Sequence, residues 1–438
     1  MSHRGRVLVI EETPRPETRR LWEGIRAEGW DVHSIPLAQT VDHARRDHPD
    51  VVVLNFAGTD GAVERTRYLD AAARMSMLRG ARRLPVIAVD ETPHPEERPI
   101  GIADVIRAPW SVGHVSSRLG ALARLATMRA EIVRRLETAN RFGLSAPEPD
   151  LSILPEDDAH ILVVGAGIRY FTIERALSKR ATLVGAFTVD TAVDYLERRP
   201  FDAAVLNLPL EDAADFLGLV RRNPDTYDLP AVVLTGETDP RLIEAVHDAG
   251  ATDVVFADES ERTFAERVET VMTEHRLRRT LKGAYGDLRH ETTLDAATGL
   301  YRRAFLMEHL AALIDDARDD GDPIAVIGLR ILDLAGINAE WGWAAGDRLL
   351  AQIGAMIARL VRGEDLAARA GGDRLALVLP SSDADDAALV AQRIVGILET
   401  TAFSVPGSTA PLWVGFDVLT TELEDGDDPA ALLARAWR

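Results

Sequence analysis

The sequence predicts an α/β chain, two doubly wound parallel-sheet units followed by a smaller α+β domain, and three observations carry that prediction. Unbroken runs rich in β-branched residues recur twice, about 150 residues apart: RVLVIEE, PDVVVLNFAG, LPVIAVDE and GIADVIRAPW, then HILVVGAG, FDAAVLNLPL, LPAVVLTGE and GATDVVFADE. Runs without polar alternation are strands buried on both faces, hence parallel and covered by helices, and a repeat at this spacing is a repeat of whole domains. After residue 295 the order becomes helix, polar turn, strand, glycine turn, strand, which is hairpin chemistry.

In chain order, the first unit is expected over residues 1–125 and a helical extension with a proline- and acid-rich linker over 126–157. The second unit follows over 158–275, a connecting helix over 276–294 and the last domain over 295–438. Residues 260–292 read as one long helical stretch. The stripe Phe264, Val268, Val271 and Met272 packs on its own sheet, while Leu277 and Leu281 beyond it predict a stalk or coiled-coil-like pair at a dimer interface.

Composition narrows function. A length of 438 residues accommodates about three domains, and 46% hydrophobic residues suffice for packed cores. A formal charge of −20 argues against nucleic acid or an anionic membrane as a partner, though not against a small anion held by a local arginine cluster. The absence of cysteine removes disulfides, thiolate catalysis and cysteine metal sites. No apolar run has the length of a membrane span and MSHRGRVLVIEE enters a strand pattern directly, so a cytoplasmic protein without membrane insertion is expected. Val164-Gly165-Ala166-Gly167 follows a strand as a dinucleotide fingerprint would, but Tyr170 holds the place of the third glycine.

Each of the first two units resembles a CheY-like receiver domain, with its site at the strand C-termini. That resemblance implies an acidic pair for Mg²⁺, an Asp phosphoacceptor, a hydroxyl and a Lys. In the first unit Glu11 and Glu12 hold the acidic place, as solvated loop carboxylates or a residual cation site, while Asn55 replaces the phosphoacceptor, Asp90 the hydroxyl and Ala108 the Lys. The second unit has Gly165-Ala166, Asn207 and Ala257 at those places and keeps Thr235. A carboxamide forms no acyl phosphate, so neither unit is expected to be phosphorylated.

The last domain opens on Asp295-Ala-Ala-Thr-Gly-Leu-Tyr-Arg-Arg303 and carries Gly371-Gly372-Asp373-Arg374 between two short strands, with Arg362-Gly363-Glu364-Asp365 upstream. These motifs resemble the GGDEF domain, the diguanylate cyclase fold, and the whole order resembles degenerate PleD-type response regulators. The resemblance implies metal carboxylates on a strand and in the glycine turn; the strand has Arg330 and Leu332, and Arg374 stands for the turn's Glu. The sequence as given ends at PAALLARAWR, short of a segment that supplies a basic residue to the phosphates. No metal, no required cofactor and no cyclase activity are therefore expected.

Asn338 and Asp347 are the candidate guanine pocket, or else a helix-capping Asn and an ordinary first-turn Asp. Arg362 and Asp365, joined by Arg393, match the family's inhibitory site, whose ligand is cyclic di-GMP; a surface ion pair at a helix end is the alternative. Arg175, Lys179 and Arg180 of the second unit are candidates for the further arginines such a ligand needs. The resemblance implies a non-catalytic cyclic di-GMP effector, a homodimer sited in the cytoplasm or at the cell pole, recruiting protein partners such as protease adaptors or substrates. A residual cyclase or GTP sensor and a nucleotide-independent scaffold are the rivals.

Overall fold

The structure, a computed structural model, describes residues 4–437 apart from 58–61, 76–83, 91–100, 109, 148, 150–158, 168 and 224. Most of the linker expected within 126–157 lies outside the described residues after 147.

The first unit runs β1 (Gly5–Ile10), α1 (Pro16–Ala27), β2 (Trp30–Ile35), α2 (Thr40–Asp47), β3 (Val51–Asn55), α3 (Ala62–Met75), β4 (Val86–Asp90) and β5 (Asp104–Arg107). Its strands are parallel in the order β2-β1-β3-β4-β5. The β-branched run Val51–Leu54 is wholly buried at its centre, because helices cover both faces. The second unit repeats the plan: β6 (His160–Val164), α5 (Arg169–Leu177), β7 (Thr182–Ala186), α6 (Val189–Arg198), β8 (Ala203–Leu206), α7 (Leu210–Arg222), β9 (Ala231–Thr235), α8 (Pro240–Asp248) and β10 (Asp253–Phe256). Its order, β10-β9-β8-β6-β7, is the same topology read from the other edge.

Each unit ends in a long helix, α4 (Val112–Arg141) and α9 (Glu261–Asp287), capped by Ser111 and Ser260. The helices begin as covers for their own sheets and then outrun them. Leu125, Met128, Ile132 and Leu136 of α4 meet Leu277, Leu281 and Tyr285 of α9 in one core with Phe305, Leu306 and Leu310 of α10 (Arg303–Asp320). The stalk expected at a dimer interface is therefore corrected. The apolar residues beyond 272 are consumed within the chain, against α4 and the last domain, and α9 continues unbroken through 275–276.

The two units meet through buried charge. Arg118 of α4 donates to Asp104 at 2.7 Å and to Glu274 of α9 at 2.6 Å. Arg267 of α9 pairs with Asp253 and donates to the carbonyl of Val105 at 3.0 Å. Asp104–Arg118 and Asp253–Arg267 hold equivalent places in the two repeats, so the contact has an approximate two-fold relation.

The last domain continues with β11 (Ile324–Ile331), α11 (Leu334–Trp341), α12 (Trp343–Leu360), β12 (Leu366–Gly371), β13 (Arg374–Pro380), α13 (Ala384–Glu399), β14 (Phe416–Glu422) and α14 (Pro429–Arg435). Its antiparallel sheet has the order β12-β13-β11-β14. Gly328 in β11 is required by packing, since a Cβ there would lie 2.1 Å from the carbonyl oxygen of Ala436.

Candidate functional site

The turn between α12 and β12 is where the three parts of the chain converge. Asp365 Oδ2 accepts from the backbone N–H of Arg362 at 2.9 Å, which closes the turn on itself. Arg135 of α4 donates to the carbonyls of Gly363 at 3.0 Å and Glu364 at 2.6 Å. Arg124, three turns earlier on the same helix, donates to Glu364 Oε1 at 2.8 Å. From α9, the Tyr285 ring lies on Gly363, where a Cβ would come within 3.2 Å of it, and its hydroxyl donates to the Met128 carbonyl at 2.7 Å. Both long helices thus grip the turn.

Behind that grip, Glu131 of α4 is fully buried and accepts from Arg135 at 2.8 Å, from Arg134 at 2.6 Å and from His309 of α10 at 2.7 Å, with the His309 ring nitrogen as donor. Burial alone would raise the Glu131 carboxyl; His309 and Arg135 beside it outweigh burial and hold it well below the usual carboxylate range. Asp365 goes the other way. Burial, then the charge of neighbouring Glu364, pushes it up to about 7.

In front of the turn lies a cavity of about 1020 Å³ between the first unit and the last domain, lined among others by Arg4, Arg6 of β1, Arg124, Arg362, Glu364 and Asp386 of α13. Arg6 also pairs with Asp322 at 2.8 Å across this boundary. Arg362, among the described residues, has no side-chain partner. Arg393 donates to the Leu360 carbonyl at 3.0 Å and so caps the end of α12 beside Arg362. The structure therefore brings Arg362 and Arg393 to one helix end and places the Asp365 carboxylate inward. Arg175 and Arg180 are placed elsewhere, paired with Glu261 and Glu269 of α9. The further arginines facing Arg362 come from the first unit, a correction to the expectation that the second supplies them.

The glycine hairpin forms as the spacing predicts. Gly371 and Gly372 take φ of 140° and 54°, conformations that favour glycine. Arg369 donates to the Gly372 carbonyl at 2.8 Å and pairs with Asp295 at 3.2 Å, which ties the opening motif to the hairpin. Arg330 sits in register with Arg374 on one side and Asp417 on the other, and it pairs with Asp417. The Arg374 guanidinium lies 5.7 Å from the centroid of the Trp437 ring. The Asp373 carbonyl accepts from Ile331 N–H at 2.9 Å. Asn338 packs on Gly346, where a Cβ would lie 1.9 Å from its Oδ1, and that oxygen is buried without a hydrogen-bond partner among the described residues. Asp347, the next residue, is exposed. The structure thus brings Asn338 to the residue before Asp347.

At the strand ends of the first unit, Glu11 is no solvated loop carboxylate. It is 5% exposed and accepts from Asn55 Nδ2 at 2.7 Å and Trp22 Nε1 at 3.3 Å. Asp90 is buried and pairs with Arg65 of α3, whose guanidinium also lies 4.4 Å from the Phe56 ring centroid. Glu12 accepts from Leu37 N–H at 3.2 Å. In the second unit Asn207 Nδ2 reaches the Ala166 carbonyl at 3.4 Å, and Thr235 Oγ1 accepts from Glu237 N–H at 3.0 Å. Among the described residues no group of three or more His, Cys, Asp and Glu is placed to hold a metal ion, and no helix is long and apolar enough to cross a membrane.

Sequence reasoning missed Arg124, Arg135 and Glu364. The first two lie more than 200 positions from the turn they hold. Glu364 stands at a position the motif leaves open, so no sequence signal marks it.

Residues 292–437 match the family model "Diguanylate cyclase, GGDEF domain". Along 99% of its length the chain is similar to the response regulator PleD of Caulobacter vibrioides, 23% identical over 451 positions and covering 95% of PleD. It is 28% identical over 255 positions to the diguanylate cyclase TpbB of Pseudomonas aeruginosa, covering 58% of this chain and 51% of TpbB. Among solved structures, the GGDEF domain of DgcB from Caulobacter crescentus in complex with c-di-GMP is 23% identical, with 34% of this chain and 85% of that chain covered and a TM-score of 0.32. The last domain thus matches the GGDEF family model, and the full-length similarity to PleD supports a GGDEF response regulator. The expectation of a domain without cyclase activity is corrected by these findings, because the matching family is the diguanylate cyclase family and relatives carry that name. It rested on Arg330 and Leu332 at the strand's metal positions, Arg374 in place of the turn's Glu and the missing basic segment; Arg330 pairs with Asp417, and the Arg374 guanidinium lies over the Trp437 ring.

Proposed function

We propose that this protein is a GGDEF response regulator that binds cyclic di-GMP in the cavity between its last domain and its first unit, and that occupancy sets the surface it presents to protein partners. One observation carries the reading: the unpartnered Arg362 guanidinium opens into a cavity of about 1020 Å³ at the turn held by both long helices. Arginine donors suit guanine O6 and N7, and a mixed cationic and anionic lining suits a base with both donor and acceptor edges. The volume is at the upper end of small-molecule sites, roughly 300–1,000 Å³, as a dinucleotide or a stacked pair requires. Neither α/β unit needs phosphorylation in this scheme, since Asn55 and Asn207 stand at the phosphoacceptor places. Ligand reaches the partner surface through the turn and the long helices it is bonded to.

Titration calorimetry of the full chain with cyclic di-GMP tests this. Wild type is expected to bind in the micromolar range, and Arg362→Ala to lose at least about tenfold, ~1.4 kcal/mol. Absence of heat with wild type, or equal affinity in the variant, overturns it. The family match favours a second reading beside the first, condensation of GTP at the Asp373 hairpin, which product formation from GTP with Mg²⁺ or Mn²⁺ measures directly.

A further inference from the structure

We propose that strand β7 is a dimerisation edge: a second copy of this chain adds antiparallel to it about a two-fold axis at Val184, joining the five-stranded sheets of the two second units into one. The assignment is independent of any ligand in the interdomain cavity.

A sheet edge presents unpaired amides and carbonyls, and folded proteins cover or charge it. Among the described residues the other edges are closed within the chain. β5 and β10 lie at the contact between the two units, where Arg267 takes the Val105 carbonyl. β12 is bridged by Tyr301, while Glu399 and Arg435 take the first amide and last carbonyl of β14. In β2, the counterpart of β7, Arg26 donates to the Val32 carbonyl at 2.9 Å, and Asp31 and His33 are exposed. The register makes Leu183 the equivalent of Val32 and Leu177 that of Arg26, and Leu177 is buried. β7 reads Thr-Leu-Val-Gly-Ala, with no charge and no proline.

The backbone of β7 is complementary to itself. Thr182 N–H donates to the Ala159 carbonyl at 2.7 Å, and the Ala186 carbonyl accepts from Gly165 N–H at 2.8 Å, so Thr182, Val184 and Ala186 bond to β6. Strand alternation then aims the N–H and C=O of Leu183 and Gly185 at the open edge. An axis through Val184 sets Leu183 opposite Gly185 of the other copy, and each such pair exchanges both bonds.

Side chains fit the same axis. Leu183 and Gly185 lie on the α5 face, where the Tyr170 hydroxyl sits 3.2 Å from the place of a Gly185 Cβ. Leu183 of the other copy therefore meets the Tyr170 ring. Phe171 and Phe187 flank that ring at 6.4 and 6.2 Å and are 70% and 65% exposed. The phenylalanines of both copies supply about 500 Å², roughly half of the ~1,000 Å² that a stable interface clears. On the opposite face α6 runs antiparallel to its mate, which sets the exposed Asp190 and Asp194 beside Arg198 and Arg199 of the other copy. That local complementarity offsets the repulsion between two chains of formal charge −20.

The chain has no cysteine, so a single Val184→Cys substitution reads the axis directly. Val184 faces its own copy in a non-hydrogen-bonded pair, with Cβ atoms about 4.5 Å apart, within reach of a disulfide. Under mild oxidation of the full chain, Val184→Cys is expected to run mostly as a cross-linked dimer and Thr182→Cys at less than one-tenth of that yield. By sedimentation, wild type is expected to be a dimer at micromolar concentrations, and Phe171→Glu with Phe187→Glu to weaken it at least tenfold. A monomeric wild type overturns the proposal without any variant. So does a dimer that keeps its affinity in the double variant, or one in which Val184→Cys cross-links no better than Thr182→Cys, since the copies then meet through another face.

Discussion

The two α/β units share a topology and a buried Asp–Arg pair, yet the ends of their sheets are built differently. In the first unit the strand ends are filled by side chains: Asn55 donates to Glu11, Trp22 donates to Glu11, and Asp90 pairs with Arg65. In the second, Gly165 and Ala166 stand at the corresponding strand end, and Asn207 makes one long contact of 3.4 Å to a backbone carbonyl. The same fold thus keeps its interface while its strand ends differ, one filled by hydrogen-bonded polar side chains and the other without acids at the first strand's end. Interface residues are constrained by partners on both units, whereas strand-end residues need only avoid unpaired burial.

The largest contrast lies at the interface. Asp253→Ala leaves buried Arg267 without its carboxylate and is expected to cost about 3–5 kcal/mol in denaturant unfolding. Asp104→Ala should cost clearly less, because Arg118 keeps Glu274 at 2.6 Å. Equal losses would break the comparison. Next come the strand ends: Asn55→Asp removes the donor to Glu11 and sets two carboxylates together, for an expected loss of about 1–3 kcal/mol. Asn207→Asp meets no acid at Gly165-Ala166 and should stay within ~1 kcal/mol in the same melting experiment.

Acid should separate the units further. Burial, against the opposing pull of Asp253, lowers His114 from 6.5 to about 3, where it stacks on His247 with centroids 4.4 Å apart. A depressed folded value means the stabilisation is complete above 6.5 and is lost as pH falls through that value toward 3, with a slope of up to about 1.4 kcal/mol per pH unit. His114→Phe should flatten the stability profile in that window. Asp365 carries the opposite sign: its folded value is raised to about 7, so its stabilisation is present in acid and lost as pH rises through 7. The smallest effect belongs to the Arg107–Glu259 pair at the rim, 3.4 Å apart and about one-fifth exposed on each side, where Arg107→Ala should cost no more than ~1 kcal/mol.

Much of the fold was legible because buried parallel strands leave continuous apolar runs: Val51–Leu54 and Ile161–Val164 are strands buried end to end. The Gly371-Gly372 hairpin was legible for a different reason, since positive φ selects glycine. The stripe beyond residue 272 was read correctly as apolar and assigned the wrong partner. Periodicity shows that Leu277 and Leu281 must be covered, and carries no information on whether α4 or another copy covers them. Arg175 and Arg180 looked available because a basic helix face reads the same whether it meets solvent or Glu261 and Glu269.

The sequence by itself determined the three sheets, their order along the chain and the two motifs that mark the last domain as GGDEF-like, because strand burial and glycine turns are written in local residue types. Only the tertiary structure decided that Arg124 and Arg135 hold the 362–365 turn, that Asp365 faces inward and that Arg124 takes the Glu364 carboxylate. Those facts depend on which face of α4 meets a turn more than 200 residues away, and on which donor each of two adjacent carboxylates finds. Distance in the chain and the choice between neighbouring acceptors are settled by packing, and packing leaves no mark at the positions themselves.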